Sequence, residues 1–195
     1  MRFDVAPADQ NFVAAARRHL DALAKPHGSL GRLESLAARL CGMQRTLVPR
    51  LEYASVLIFA ADHGLSRERV SAYPREVTAQ MVRNFLAGGA AISVLARSFG
   101  CELLVIDAGV EGDIAPHPSF VCAKIARGTA NVLTGDAMMA EQCEQAVSAG
   151  ARLAREALDR GAHLLVLGEM GIGNTAVGAL LLHGLTGWQI GRAHV

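Results

Sequence analysis

The stretch His163-Leu-Leu-Val-Leu-Gly-Glu-Met-Gly-Ile-Gly-Asn174 decides the fold class, because it joins a buried strand to a helix through a glycine-rich turn. The residues from His163 to Leu167 have the length and the branched apolar content of a strand covered on both faces. After the two glycines, a helix is predicted from about Thr175 to Leu182. A strand, a glycine turn and a helix in this order are typical of a parallel α/β sheet.

The same alternation extends towards the N-terminus. Three further strands are predicted at Ser55–Ala61, Leu103–Ile106 and Phe120–Ile125. Helices are predicted between them, from Pro74 in a first helical turn, from Ala90 to Phe99 and from Ala140 to Leu158. The fold class is therefore α/β, a parallel Rossmann-like sheet flanked by helices.

Two amphipathic helices precede this pattern, with a break at Lys25-Pro-His-Gly-Ser29 and an end at Pro49. They predict an N-terminal helical subdomain at residues 1–50. An incomplete α/β domain is assigned to residues 51–189, and residues 190–195 are assigned to a non-native tail.

Composition excludes several classes of partner. The 195 residues are 51% apolar and 19% charged, which fits a folded chain and not a disordered one. A net charge of +1 and 5% aromatic residues give no basis for binding nucleic acid. No apolar run reaches the roughly 20 residues of a membrane span, and no signal peptide is evident. Four widely spaced cysteines predict free, mostly buried thiols and a cytoplasmic location.

Charged side chains follow the predicted strands, at Asp62-His63, Asp107, Arg127 and Glu169. Ligands of open parallel sheets bind beyond the carboxyl ends of the strands, and charges there are costly unless they are paired or used. These residues therefore predict a functional crevice at one edge of the sheet. Asp107 has a second interpretation, as the N-cap of a following helix.

The turn at Gly171, Gly173 and Asn174 favours a phosphate, because it allows close approach of the backbone to a helix N-terminus. The spacing matches neither the dinucleotide fingerprint nor the P-loop, so a tight turn without a ligand is the alternative. Glu169 would repel an anion. We expect it to face a ring, a ribose hydroxyl or a proton in transit.

Six motifs in order resemble one known family. They are Lys25-Pro-His-Gly-Ser-Leu-Gly-Arg-Leu-Glu34, Ala61-Asp-His-Gly64 with Val70-Ser-Ala-Tyr-Pro-Arg-Glu-Val-Thr78, Asn84-Phe-Leu-Ala-Gly-Gly-Ala-Ala-Ile92, Val105-Ile-Asp-Ala-Gly-Val110, Arg127-Gly-Thr-Ala-Asn131 and Leu167-Gly-Glu-Met-Gly-Ile-Gly-Asn-Thr175. The chain is similar to the nicotinate-nucleotide:5,6-dimethylbenzimidazole phosphoribosyltransferases. His27 departs from the family pattern, where a second proline is usual, and a turn should tolerate the change.

The resemblance implies transfer of the phosphoribosyl group of nicotinate mononucleotide to 5,6-dimethylbenzimidazole, for the lower ligand of cobalamin. It implies a cytoplasmic homodimer with no metal and no other cofactor. Glu169 would stabilise positive charge on the ribose. Substrate-binding residues would be Asp62, Ser71, Gln80, Asp107, Gly171, Gly173 and Asn174, with Ser71 and Gln80 near the base pocket.

The resemblance also implies a glutamate general base near the C-terminus of a markedly longer chain. Residues Ile190 to Val195 depart from the family and resemble a translated sequencing-adapter read, so we expect them to be non-native. A chain cut there would be inactive alone and would expose an apolar sheet edge, which predicts poor solubility.

Two other functions compete with the transferase. A metal-dependent hydrolase would use Asp62, His63 and Asp107 as ligands, which requires the three side chains to converge with one open coordination position. The second alternative is a non-catalytic module that binds a nucleotide or forms a dimer.

Overall fold

The computed structural model describes residues 5–189. The chain divides between Glu52 and Tyr53 into two compact units, two residues beyond the boundary expected from the sequence. The segment 190–195 lies outside the described residues, so the expectation for it stays a prediction.

The first unit pairs helix α1 (Gln10–Asp21) with helix α2 (Arg32–Gln44). Val13 and Ala16 of α1 pack against Ala38 and Cys41 of α2. Helix α2 ends at Gln44, where Arg45 takes a left-handed conformation, and not at Pro49 as predicted.

An ion pair closes the connection between these two helices. Lys25 Nζ lies 2.7 Å from Glu34 Oε1, which also accepts a hydrogen bond from the Leu30 amide. The bond from Lys25, followed by that from Leu30, lowers the pKa of Glu34 below its ordinary value. The motif from Lys25 to Glu34 therefore contains a loop that is held by an ion pair between its first and last residues.

The second unit is a parallel sheet of four strands. The strands are β1 (Ala54–Ala61), β2 (Glu102–Gly109), β3 (Phe120–Cys122) and β4 (Leu164–Met170), in the order β3-β2-β1-β4. The helices of this unit are a short 3-10 helix (Gly64–Glu68), α3 (Val77–Leu86), α4 (Ala91–Ser98), α5 (Ala140–Asp159) and α6 (Asn174–Thr186). The predicted α/β class with a parallel sheet and flanking helices is confirmed.

The core lies on both faces of the two central strands. On one face, Ile58 and Val105 pack with Val82 of α3. On the other, Leu57 and Ile106 pack with Leu153 of α5. Because both faces are covered, β1 reads as a continuous apolar run rather than an alternating one.

Several predicted boundaries are wrong for local reasons. Strand β3 stops at Cys122, and the following residues bond with the end of β2 through Ala123 N to Asp107 O. Pro74 belongs to a turn, in which its carbonyl accepts from Val77 N, so α3 begins three residues later than expected.

Burial also differs from expectation. The four cysteines are free, but Cys122 and Cys143 are exposed, so the prediction of mostly buried thiols is wrong. Strand β4 is at the edge of the sheet, with Leu167 70% exposed, and is not covered on both faces. None of the helices within residues 5–189 is long and apolar enough to cross a membrane.

Candidate functional site at the carboxyl edge of the sheet

The acidic residues predicted for the site lie at one edge of the sheet but on two faces. Asp107 pairs in register with Ala60, whereas Glu169 pairs with Phe59. The side chains of paired residues on neighbouring strands lie on the same face of the sheet, and successive residues along a strand alternate between the two faces. Asp107 therefore lies on the face covered by α3 and α4, and Glu169 on the face covered by α5.

Asp107 is buried and carries three partners. Its Oδ1 accepts from the amides of Gly109 (3.1 Å) and Val110 (2.8 Å), and its Oδ2 lies 3.0 Å from Lys124 Nζ. No helix follows β2 directly, so the N-cap interpretation is wrong. The carboxylate holds the turn after β2 instead, and Lys124 neutralises its charge.

Asp62 ties together three segments at the end of β1. Its amide donates to Gly109 O, its carbonyl accepts from Thr129 N, and its Oδ2 accepts from Glu111 N at 2.8 Å. Gly128 packs closely here, since a Cβ on it would lie 3.3 Å from Asp62 O. Within the described part of the chain, the buried Oδ1 of Asp62 has no hydrogen-bond partner. Asp62 thus fixes the loops that border the crevice.

The glycine turn is seated on the segment that follows β1. A Cβ on Gly171 would collide with Ala61 O, and one on Gly173 would lie 3.4 Å from Val70. Gly173 has φ +93°, a conformation that favours glycine. Between them, Ile172 N donates to the buried hydroxyl of Thr78 at 3.1 Å. The turn is therefore formed and supported before any ligand arrives.

Helix α6 begins directly after this turn. No side chain caps its N-terminus, where Gly173 occupies the N-cap position. The first amides of a helix lack intrahelical acceptors and carry a partial positive charge. The Asn174 amide already donates to Gly171 O at 3.1 Å, so an anion would meet the other amides of the first helical turn.

His63 joins the end of β1 to the start of α6. Its Nε2 lies 2.5 Å from Asn174 Oδ1. With His63 engaged by Asn174 and Asp107 by Lys124, the ligands of the hydrolase alternative do not converge. Among residues 5–189, no group of three His, Cys, Asp or Glu side chains is placed to hold a metal ion.

The two residues assigned to the base pocket lie apart from these contacts. Ser71 occupies a bend after the 3-10 helix, where its Oγ accepts from Tyr73 N at 3.2 Å. Gln80 lies on the exposed face of α3. Their role in binding the base stays a prediction.

Sequence reasoning missed an arginine cluster around Glu111. The Oε1 of Glu111 lies 2.6 Å from Arg75 Nη1 and 3.8 Å from Arg67 Nη2, while its carbonyl accepts from Arg127 Nη1. The hydrogen bond and charge of Arg127 also lower the pKa of Asp113, 2.6 Å away. The available signals were Arg75 and Arg127, which lie in family-like motifs, and the position of Glu111 directly after the motif that ends at Val110.

A cleft of about 520 Å³ adjoins this cluster at the β2–β3 end of the edge. Its polar lining comes from the pairs Asp107–Lys124 and Asp113–Arg127. Ile114 and Phe120 supply apolar lining. An apolar lining with polar groups around it suits a small planar ligand.

Comparisons with known proteins agree with these observations. The family model described as "Phosphoribosyltransferase" matches residues 5–193, which includes four of the six residues expected to be non-native. A nicotinate-nucleotide–dimethylbenzimidazole phosphoribosyltransferase from Chloroflexus aggregans is 48% identical over 183 residues, covering 94% of this chain and 52% of the relative. The enzyme of the same name from Solidesulfovibrio magneticus is 51% identical over 172 residues, covering 88% of this chain and 49% of the relative.

A solved structure is similar throughout the described fold. The crystal structure of the phosphoribosyltransferase of that name from Thermus thermophilus superposes with a TM-score of 0.88 at 47% identity, covering 92% of this chain and 54% of the other. The chain spans about half the length of the relatives it matches. The resemblance inferred from the six motifs is confirmed, and the chain belongs to the phosphoribosyltransferase family whose relatives are named for nicotinate nucleotide and dimethylbenzimidazole.

Proposed function

We propose that this chain forms the nucleotide-binding part of an enzyme that transfers the phosphoribosyl group of nicotinate mononucleotide to 5,6-dimethylbenzimidazole. The products are α-ribazole 5′-phosphate and nicotinate. The observation that carries the proposal is the supported glycine turn, Gly171 to Asn174, at the carboxyl edge of the sheet in a chain that is 47% identical to a solved transferase.

The chemistry exchanges one C–N bond for another. A ring nitrogen of dimethylbenzimidazole attacks C1′ of the ribose, and the electron pair of the breaking bond returns to the nicotinate nitrogen. That pair neutralises the pyridinium charge, so the leaving group needs no proton. The attacking dimethylbenzimidazole loses its N–H proton to a general base of the enzyme, which must lie within hydrogen-bond reach of that proton.

The edge of the sheet suits this substrate. The phosphate rests on the amides at the start of α6, where the helix dipole favours negative charge. Positive charge develops on the ribose as the glycosidic bond breaks, and a carboxylate stabilises it. Glu169 supplies that carboxylate, because it precedes the turn by only two residues yet belongs to the strand and not to the anion site.

The remaining sequence-based assignments belong to this proposal. Asp62 and Asp107 hold the loops that surround the ribose, and Ser71 and Gln80 line the pocket for the base. The enzyme works as a homodimer in the cytoplasm and uses no metal.

The test separates binding from turnover. Calorimetric titration of the purified chain with nicotinate mononucleotide should show saturable binding, and nicotinic acid riboside, which lacks the phosphate, should bind more weakly. Incubation with both substrates, followed by mass spectrometry of α-ribazole 5′-phosphate, should show no turnover if the general base lies outside this chain.

Each result decides something. No binding of the mononucleotide would overturn the proposed function. Turnover by the chain alone would place the general base within it. Mononucleotide binding combined with lack of turnover in any extended form of the protein would favour the non-catalytic nucleotide-binding module.

A further inference from the structure

We propose that His63 is a positioning residue, which fixes the Asn174 side chain so that its amide presents hydrogen-bond donors to the nucleotide's phosphate. The inference deepens the proposed function and rests on it. It assigns a task to the histidine that no step of the reaction uses.

The contact is long-range in sequence and short in space. His63 follows the last residues of β1, and Asn174 is the first residue of α6, 111 positions later. The Nε2–Oδ1 distance of 2.5 Å places these two side chains in direct hydrogen-bond contact. An amide oxygen only accepts, so the ring must donate from Nε2.

The structure places the oxygen of the Asn174 amide on the side of His63. An asparagine side chain has one accepting oxygen and two donating N–H groups on opposite sides. Because His63 engages the oxygen, the Nδ2 group is the one turned away from β1. A flipped amide would instead direct its oxygen towards the anion and would repel it.

The Asn174 amide oxygen fills the space between the turn and the end of β1. A Cβ on Gly171 would collide with Asn174 Oδ1 as well as with Ala61 O, so the amide oxygen lies directly against the turn. Without the histidine, rotation of Asn174 would alter the surface against which the phosphate rests.

The other supports of the turn cannot replace this one. Thr78 holds the amide of Ile172, and Val70 and Ser66 pack beneath Gly173. These contacts fix the path of the backbone. His63 is the contact that orients the Asn174 side chain.

The experiment compares two variants of the 195-residue chain. His63→Phe removes the donor, and His63→Gln keeps an N–H donor at similar reach. His19→Phe, at an exposed position of α1, is the matched control. Titration with nicotinate mononucleotide and with nicotinic acid riboside is combined with amide hydrogen exchange at residues 171–176.

We expect His63→Phe to weaken mononucleotide binding by about tenfold, the effect of losing one hydrogen bond to a charged ligand. Riboside binding should stay unchanged, and His63→Gln should restore mononucleotide affinity to within about threefold. Exchange at residues 171–176 should accelerate in His63→Phe and recover in His63→Gln.

Three outcomes would overturn the inference. These are equal affinities in wild type and His63→Phe, an equal loss for mononucleotide and riboside, and no rescue by glutamine. If the wild type binds no mononucleotide, the proposed function fails and the assignment to phosphate binding fails with it. The exchange data then decide separately whether His63 supports the turn at all.

A double-mutant cycle guards against a variant that fails to fold. Asn174→Ala should lose as much mononucleotide affinity as His63→Phe, and the double variant should lose no more than either, because both changes remove one shared contact. Additive losses would show that the two residues act independently and would overturn the inference.

Discussion

Strands β1 and β4 lie side by side and have similar apolar sequences, yet their surroundings are opposite. Leu57 of β1 is paired in register with Leu167 of β4, and the two leucines are 1% and 70% exposed. Helix α6, which follows β4, has no buried residue, and Leu180, Leu181, Leu182 and Leu185 are all exposed. An apolar run therefore predicts a strand but not how many neighbours cover it.

The difference in packing between β1 and β4 also divides the proposed binding site. The proposed binding crevice lies between the well-packed ends of β1 and β2 and the exposed elements β4 and α6. Asp62 and Asp107 are held by buried hydrogen bonds, whereas Glu169 is exposed on the edge strand. The proposed binding surface thus joins a well-packed half to a sparsely packed half.

The largest expected difference is in the free energy of unfolding, when the two paired leucines are truncated separately. Leu57→Ala should lower the free energy of unfolding by about 2–5 kcal/mol, because it opens a cavity between the sheet and α5. Leu167→Ala should change it by less than about 0.5 kcal/mol. Urea denaturation of both variants measures the difference. Equal losses would mean that Leu167 is buried in solution.

A second contrast compares two glycines on either side of the start of α6. Gly171→Ala should weaken mononucleotide binding by about tenfold or more, since the new Cβ must displace the backbone at Ala61. At Gly178, within α6, a new Cβ would have no atom within 4 Å, so Gly178→Ala should leave mononucleotide binding unchanged. Titration calorimetry tests both variants. Unchanged binding in Gly171→Ala would show that the turn is not the phosphate site.

The exposed leucines of α6 should promote self-association, because large exposed apolar patches drive contacts between molecules. Replacing Leu181 and Leu185 by lysine should lower the weight-average sedimentation coefficient at high concentration. Lysines at Gln145 and Ser148, exposed on α5, form the control. A wild-type chain that stays monomeric throughout would contradict this expectation.

The smallest effect should come from an ion pair in open solvent. Arg127→Gln should raise the pKa of Asp113 towards its ordinary value, because the hydrogen bond from Arg127 is the main cause that lowers it. A lowered pKa in the native state stabilises the fold above the unfolded-state pKa, and this contribution is lost as pH falls through the lower native value. NMR titration of the Asp113 carboxyl group, with Arg97→Gln as control, measures the change.

Most of the fold followed from local patterns, and the errors have identifiable causes. Buried runs and glycine turns located β1, β2 and β4, because these signals are local. The apolar run of β4 alone predicted burial on both faces, whereas the expectation of an exposed apolar sheet edge agrees with Leu167 being 70% exposed. The extent of β3 depended on bonds from Ala123 to the end of β2, which no periodicity reveals.

The placement of the candidate site residues at one edge of the sheet was predictable, but their side-chain contacts were not. That Asp62, Asp107 and Glu169 would lie at one edge followed from parallel topology. Their distribution over two faces required the register, which places Asp107 opposite Ala60 and Glu169 opposite Phe59. The contact between His63 and Asn174 joins residues far apart in sequence, and side-chain pairs of this kind leave no pattern in a single chain.

The hydroxyl of Thr78, which accepts from Ile172 N, makes the proposed anion site dependent on α3, a helix that lies elsewhere in the chain. If α3 detaches from the sheet, the loop before α6 loses the hydrogen bond that holds it. A ligand that binds this loop only in its held conformation must therefore oppose the detachment of α3. A bound nucleotide would therefore slow local opening of residues 77–86, although none of them need touch it.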